Sequence, residues 1–137
     1  MDNFLLTVGW WNFGGSILML FFLYEPIGNA VLVSSTKIFN TPFKLDYWTK
    51  LWLGWAAGIN VFFGLINVMA VKWGYIEPKV FLIWADIIAY CIFVLLAIWG
   101  HVAGRMGSGI YSVYIIFAGW ITWGIYCLWL NSALKVL

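Results

Sequence analysis

Apolar residues occur along this chain in four long blocks, separated by shorter stretches in which charged residues, glycine and proline collect. Each block reaches or exceeds the ~20 residues that an α-helix needs to cross ~30 Å of hydrocarbon. Strict alternation over ~10 residues, which is typical of a membrane-spanning strand, does not occur. The pattern therefore predicts four transmembrane helices, at about 10–33, 51–73, 79–103 and 109–134.

The composition indicates the same class of protein. Of the 137 residues, 65% are hydrophobic and only 9% are charged. A soluble domain carries roughly 25% charged residues, so this chain lacks the polar side chains needed to cover a water-exposed surface. We therefore expect an all-α integral membrane bundle in which four helices run up and down. Residues 1–137 would form a single transmembrane domain, because four spanning helices leave no room for another.

The polar connections between the blocks indicate how the helices are arranged. The first connection, 34–50, is the longest, whereas 73–79 and 100–109 are short turns, and Pro78 can begin the third helix. Short connections predict that successive helices lie side by side and antiparallel. Four spans place both termini on the same side of the membrane. Four lysine and arginine residues lie on the side of the first and third connections, and three lie on the side of the termini and the second connection. Because the more positive side tends to face the cytoplasm, this count favours an outside location for the termini.

Tryptophan is unusually frequent, with eleven residues in the chain. Six of them lie within a turn or two of a predicted helix end, where an indole ring suits the headgroup region: Trp10, Trp11, Trp48, Trp52, Trp55 and Trp73. The other five lie deeper in their segments or near the opposite ends: Trp84, Trp99, Trp120, Trp123 and Trp129. The pattern favours an interfacial belt with lipid-facing rings, while some of the deeper rings can face a protein partner.

Polar side chains follow one face of three of the predicted helices. They are Glu25 and Asn29 on the first helix, Asn60 and Asn67 on the second, and Asp86 and Tyr90 on the third. Spacings of four and seven residues put the members of each pair on one face. Because polar groups in lipid are expected to point inward and pair, we predict one interior polar cluster in which at least two stripes touch. This cluster is a candidate coupling or ligand site.

Glu25 has two interpretations that the sequence leaves open. As a functional group, it would be a protonatable carboxyl that binds a cation or exchanges a proton within the membrane. As a structural group, it would lie at a kink caused by Pro26, bonded to a neighbouring helix or to water.

Two pairs of glycines are spaced for close helix contact. Gly54 and Gly58, and likewise Gly100 and Gly104, are four residues apart, which is the small-xxx-small pattern of packed membrane helices. We therefore expect these four glycines to lie where helices pack together.

His101 is the single histidine of the chain. Without a second histidine it cannot build a metal site, and beside Arg105 at a helix end it is typical of a solvated or capping group. Tetrapyrroles need only one protein ligand and bind between aromatic walls, so His101 is also a candidate axial ligand for a haem or pigment. Bound lipid is a further expected ligand.

The sequence contains no catalytic or nucleotide-binding motif, and its net charge of +2 does not favour a nucleic-acid partner. Two functional hypotheses follow. The first is a non-catalytic membrane subunit that packs against and stabilises a larger membrane protein complex. The second is a small oligomeric transporter or channel, coupled to protons or cations through Glu25. The stretch GGSILMLFFLYEPIG (14–28) loosely resembles the first segment of small multidrug-resistance exporters, which have four short helices and a glutamate in the first. The later helices do not match theirs, so the resemblance is a precedent for a transporter of this size only.

Overall fold

The computed structural model describes residues 1–34 and 45–131, and these residues are almost entirely helical. The helices are α1 Asp2–Phe22, α2 Glu25–Ser34, α3 Tyr47–Trp73, α4 Ile76–Val102 and α5 Ile110–Leu130. All but the short α2 are long and apolar enough to cross a membrane. This confirms the predicted all-α bundle of four transmembrane helices, and the chain is an integral multi-pass membrane protein.

The first transmembrane helix begins eight residues earlier than predicted. It covers Asp2–Phe22 rather than 10–33, and it ends before Leu23 and Tyr24. Pro26 explains the break, because it has no N–H to donate and its ring would clash with the carbonyl of the residue four positions before it. In the first turn of α2 that missing N–H costs nothing, so the chain restarts a helix there.

The other three transmembrane helices agree with the predictions to within a few residues. Helix α3 begins at Tyr47 because Asp46 caps it, its carboxylate accepting a hydrogen bond from the backbone N–H of Thr49 at 2.8 Å. It ends at Gly74, whose φ of 75° is the left-handed conformation that favours glycine. Beyond residue 131, the last part of the predicted helix 109–134 lies outside the described residues.

The helices form two pairs that meet at one end of the bundle. Helix α1 packs along α3, and α4 packs along α5. At the end where α1 begins, the Phe4 ring lies edge-on to Trp123 of α5, with 5.4 Å between ring centroids. The start of α1 and the end of α5 are therefore at the same end. The buried core lies there too: Phe4, Leu5, Val8, Ala70, Leu82, Ile83, Ile87, Tyr90, Cys127 and Leu128.

Small residues allow α1 and α3 to cross closely. A Cβ atom on Gly64 would lie 3.0 Å from the carbonyl oxygen of Gly9, and one on Gly9 would lie 2.9 Å from a methyl of Val68. Further along the same contact, the Ser16 hydroxyl donates to the carbonyl of Ala57 at 3.1 Å. Lipid tails are as apolar as the side chains, so the hydrophobic effect does not drive helices together in a membrane. Close packing of two backbones holds them together instead.

The four glycines predicted to pack helices do not do so within this chain. A Cβ atom on Gly54 or Gly58 would meet no atom of the described residues within 4 Å, so neither lies at a contact between the described helices. Gly100 faces the side chain of Met106, in the loop that follows its own helix, at 3.0 Å. Gly104 has a φ of 68° and belongs to the turn after α4. The spacing alone does not show which face of a helix meets a neighbour.

Candidate functional site

A buried polar pair joins α3 to α4. The side-chain amide of Asn67 donates a hydrogen bond to a carboxyl oxygen of Asp86 at 3.1 Å. Asn67 is 0% exposed and Asp86 is 5% exposed. The prediction that two polar stripes touch is confirmed for these two helices. The contact arises because α3 and α4 are antiparallel neighbours joined by a tight turn, so their inward faces meet.

This polar pair and its neighbour Tyr90 are not fully hydrogen bonded by the described residues. Asn67 Oδ1 and the Tyr90 hydroxyl are both buried and have no partner among them. The Tyr90 ring packs between the rings of Phe117 and Trp120 on α5, at centroid distances of 5.3 and 6.3 Å. A buried acceptor and a buried donor without partners are unusual in a native core, and they mark this region as a candidate site.

A groove of about 460 Å³ lies between the two helix pairs. Its walls are mainly aromatic and apolar, and Asn12 and Asn60 are its amide-bearing residues. The Asn60 amide contacts the sulfur of Met19 at 3.6 Å. The groove is lined by Trp10, Trp11, Asn12, Gly14, Gly15, Leu18, Met19, Asn60, Tyr90, Phe93 and Phe117. Tyr90 thus belongs both to the groove wall and to the buried cluster.

Glu25 lies away from this interior, which corrects the sequence-based prediction. It begins α2, its side chain is 65% exposed, and its Oε1 lies 2.6 Å from Nζ of Lys50 on α3. The hydrogen bond and positive charge of Lys50 lower the pKa of Glu25 below its ordinary value of 4.5. The helix break at Pro26 is the reason, because it turns residue 25 out of the first transmembrane helix. The side chain of Asn29 lies outside the described residues.

Glu25→Gln is expected to have little effect on thermal stability at neutral pH, because an exposed ion pair contributes little. Since the folded pKa is lowered, the contribution of the ion pair is intact above pH 4.5 and is lost as the pH falls through the lowered value. Thermal unfolding in detergent at neutral and acid pH, with Lys50→Gln as the matched control, measures this. Proton-driven uptake into liposomes that Glu25→Gln abolished without loss of stability would contradict the structural interpretation.

His101 lies in the last turn of α4, remote from the polar pair. It is half-buried, its ring contacts Tyr111 at a centroid distance of 5.6 Å, and its Nδ1 has no partner among the described residues. Fifteen residues separate it from Asp86, or roughly 22 Å along the helix. His101 does not line the groove, so those aromatic walls provide no tetrapyrrole pocket beside its imidazole. Axial ligation by His101 stays a prediction.

Several contacts at the end of the bundle where α1 begins were not predicted from the sequence. Lys79 is 7% exposed, and its Nζ lies 2.8 Å from a carboxyl oxygen of Asp2. The predicted helix 10–33 leaves out Phe4, Leu5 and Val8, although their spacing places them on one helical face. An earlier start for the first helix would have brought this face into the bundle.

The described residues hold no group of three or more metal-ligating histidine, cysteine or acidic side chains. Cys91 and Cys127 are free thiols, the first exposed and the second buried. No protein-family model, curated protein or solved structure matches this chain. Because a fold does not by itself imply a function, the function must follow from the geometry of these residues.

Proposed function

We propose that this chain is a non-catalytic membrane subunit that packs against and stabilises a larger membrane protein. The observation that supports this most strongly is a row of large apolar side chains along the outer face of α3, here called the α3 stripe. Its members are spaced alternately by four and three residues, and the partly buried Ile66 completes the spacing. The exposed members are Trp48, Trp52, Trp55, Ile59, Phe62, Met69 and Trp73.

The spacing of the α3 stripe is typical of a helix–helix seam. An average repeat of 3.5 residues keeps a row of side chains facing one partner helix along its whole length. The stripe covers 25 helical steps, or roughly 38 Å, which is more than the hydrocarbon thickness. A surface that meets only lipid has to be apolar but needs no such regular row of large side chains, five of which carry aromatic rings. Aromatic side chains are also the ones most enriched at protein interfaces.

Gly58 lies beside the stripe and supports the same proposal. It is exposed, and a Cβ atom there would meet nothing within 4 Å, so the chain itself does not need a glycine at this position. An open glycine next to large rings lets the backbone of a second helix approach closely. We therefore propose that Gly58 contacts another protein rather than a helix of this chain.

The transmembrane helices also bury less surface than a self-contained bundle requires. In the apolar 18-residue stretch of each helix, only 22% of α3 and 17% of α5 is buried inside the protein. A helix that faces the core of a bundle places about three residues in seven towards it. The uncovered faces are consistent with a chain that completes its packing against another membrane protein.

Gly58→Leu tests this proposal. The added side chain meets open space in the chain, so the thermal stability of the isolated protein should be unchanged, while recovery of its partner in mild detergent should fall at least tenfold. Gly119→Leu on α5 is the matched control, because Gly119 is also exposed and open. If Gly58→Leu and Gly119→Leu left the same amount of partner bound, the α3 stripe would not be the interface.

Photo-crosslinking locates the same interface without changing the packing of the chain. A photoreactive residue at Trp55 should couple to one protein of defined mass in native membranes. The same residue at Ile115, which is 74% exposed on α5, should couple mainly to lipid. Lipid adducts at both positions would count against the subunit proposal.

The groove is the place where we propose that bound lipid lies. It extends from Trp10 to Met19, about 14 Å along α1, and its walls are mainly aromatic and apolar. A long apolar groove of this kind suits a hydrocarbon chain.

The transporter hypothesis and the membrane orientation stay as predictions. Glu25 is exposed and paired with Lys50, so it offers no interior carboxyl for coupling, which removes the main reason for proposing transport through it. An outside location for both termini remains the orientation that the lysine and arginine counts favour. Labelling of single cysteines at Asn3 and Gly107 from opposite sides of sealed vesicles measures that orientation.

A further inference from the structure

Asp86 differs from the other acidic residues of this chain. The chain has five aspartate and glutamate residues in total. Four are exposed at the ends of helices: Asp2, Glu25, Asp46 and Glu77. Asp86 alone is buried, about three turns into a transmembrane helix. A carboxyl group in this position is costly in its ionised form and needs either a counter-charge or a proton.

No lysine or arginine among the described residues pairs with Asp86. The two ion pairs found there are Lys50 with Glu25 and Lys79 with Asp2. Lys79 lies two turns before Asp86 on the same face of α4, but its Nζ is held by Asp2 at 2.8 Å. The interior of the bundle therefore supplies no described cation to balance a carboxylate at this position.

The hydrogen bonds of Asn67 show what the pair lacks. Its amide N–H donates to Asp86, but its Oδ1 is buried and receives no hydrogen bond from any described residue. A carboxylate only accepts hydrogen bonds, whereas a neutral carboxylic acid also has one O–H to donate. A side-chain amide and a carboxylic acid are both planar and have a donor and an acceptor side by side. Together they can therefore form two parallel hydrogen bonds.

We infer that Asp86 and Asn67 form a proton-binding site inside the membrane, in which Asp86 is a neutral acid that donates its O–H to Asn67 Oδ1. The bound proton comes from water. It neutralises the buried carboxylate of Asp86 and forms the O–H group whose hydrogen bond Asn67 Oδ1 accepts. This inference does not depend on the α3 stripe, because the pair lies on the inward faces of α3 and α4.

The groups packed around the pair do not replace this proton. The buried cluster on this side contains apolar residues from α1, Ala70 from α3, Tyr90 from α4 and the Cys127 thiol from α5. The other ionisable side chains in this cluster are the phenol of Tyr90 and the thiol of Cys127, which can lose a proton but cannot become cations. Neither provides a positive charge for Asp86, and the Tyr90 hydroxyl itself lacks a partner among the described residues.

Infrared spectroscopy of the purified protein in lipid tests the inference directly. At about pH 7 the wild-type protein should show the C=O stretching band of a protonated carboxylic acid, and Asp86→Asn should lose that band completely. Asn67→Leu should shift the band to higher frequency, because the acid then loses its amide partner. Glu25→Gln is the control and should leave the band unchanged, since Glu25 is exposed and ionised near pH 7.

The wild-type spectrum alone can overturn the inference, even if every variant failed to fold. Only carboxylate bands from about pH 6 to about pH 8 would show that Asp86 is ionised. A protonated band that persisted in Asp86→Asn would assign the proton to another group. A melting temperature that rose when sodium replaced choline in wild type, but not in Asp86→Asn, would assign a bound cation instead.

Discussion

Gly64→Leu is expected to separate α1 from α3 and to lower the free energy of unfolding by about 3 kcal/mol, at the upper end of the range for overpacking. A Cβ atom on Gly64 would lie 3.0 Å from the carbonyl oxygen of Gly9 and 3.3 Å from the ring of Phe13. The first of these neighbours is backbone, which cannot rotate away. The two helices would have to move apart and lose the contacts along their crossing.

The measurement is the free energy of unfolding in mixed detergent micelles, followed by helix content. Gly58→Leu is the matched control, because it adds the same side chain to the same helix where a Cβ atom meets nothing within 4 Å. Gly64→Leu should also allow labels on α1 and α3 to move apart, whereas Gly58→Leu should not. Equal stability of the two variants would mean that the close crossing does not hold the bundle together.

Phe4→Ala is the second large effect that we expect, at about 2–4 kcal/mol. Phe4 is 0% exposed and joins the two helix pairs, with its ring edge-on to those of Trp120 and Trp123. The expected loss of unfolding free energy is smaller than the ~3–5 kcal/mol that Phe→Ala costs in soluble proteins. Lipid is as apolar as the protein interior, so the hydrophobic contribution to this loss is small. What is lost is mainly packing, since a cavity the size of the ring remains between α1 and α5.

Thermal unfolding in the same detergent compares this variant with Phe81→Ala. Phe81 is also a phenylalanine in a transmembrane helix, but it is 72% exposed, so its loss should leave stability nearly unchanged. Quenching of tryptophan fluorescence by a water-soluble quencher should increase in Phe4→Ala, as Trp123 loses its neighbour. A similar cost for the two variants would indicate that the core does not lie at the end of the bundle where α1 begins.

The two proposals place different roles on different faces of α3. The outward stripe of large apolar side chains would hold a partner, while the inward face carries Asn67 and its contact with Asp86. A subunit can contain a buried neutral acid for specificity alone, because a paired polar contact in lipid fixes which helices meet and in what register. Gly58→Leu and the infrared band of Asp86 therefore test separate properties of one helix.

Part of the candidate site was predictable from the sequence. Asn67 and Asp86 were expected to face inward because a polar group in lipid must find a partner, and this rule needs no knowledge of the fold. Glu25 also has a partner, but not in the interior. It lies at the helix break before Pro26, where it pairs with Lys50. The sequence alone did not show which carboxyl would be buried with a partner and which would be exposed. Both arrangements avoid the cost of an unpaired carboxyl group in hydrocarbon.

The sequence by itself determined the class of the protein, its four spans and, to within three residues, the end of α3, both ends of α4 and the start of α5. These follow from local chemistry, namely the length of the apolar blocks and the polar turns between them. The sequence-based prediction treated Pro26 as a kink within the first span and did not end α1 before it. Only the tertiary structure decided that Gly9 meets Gly64 while Gly58 meets nothing. Helical spacing shows which residues share a face, but the direction of that face depends on how whole helices pack. Contacts among residues distant in sequence set that packing, and no single stretch of the chain encodes it.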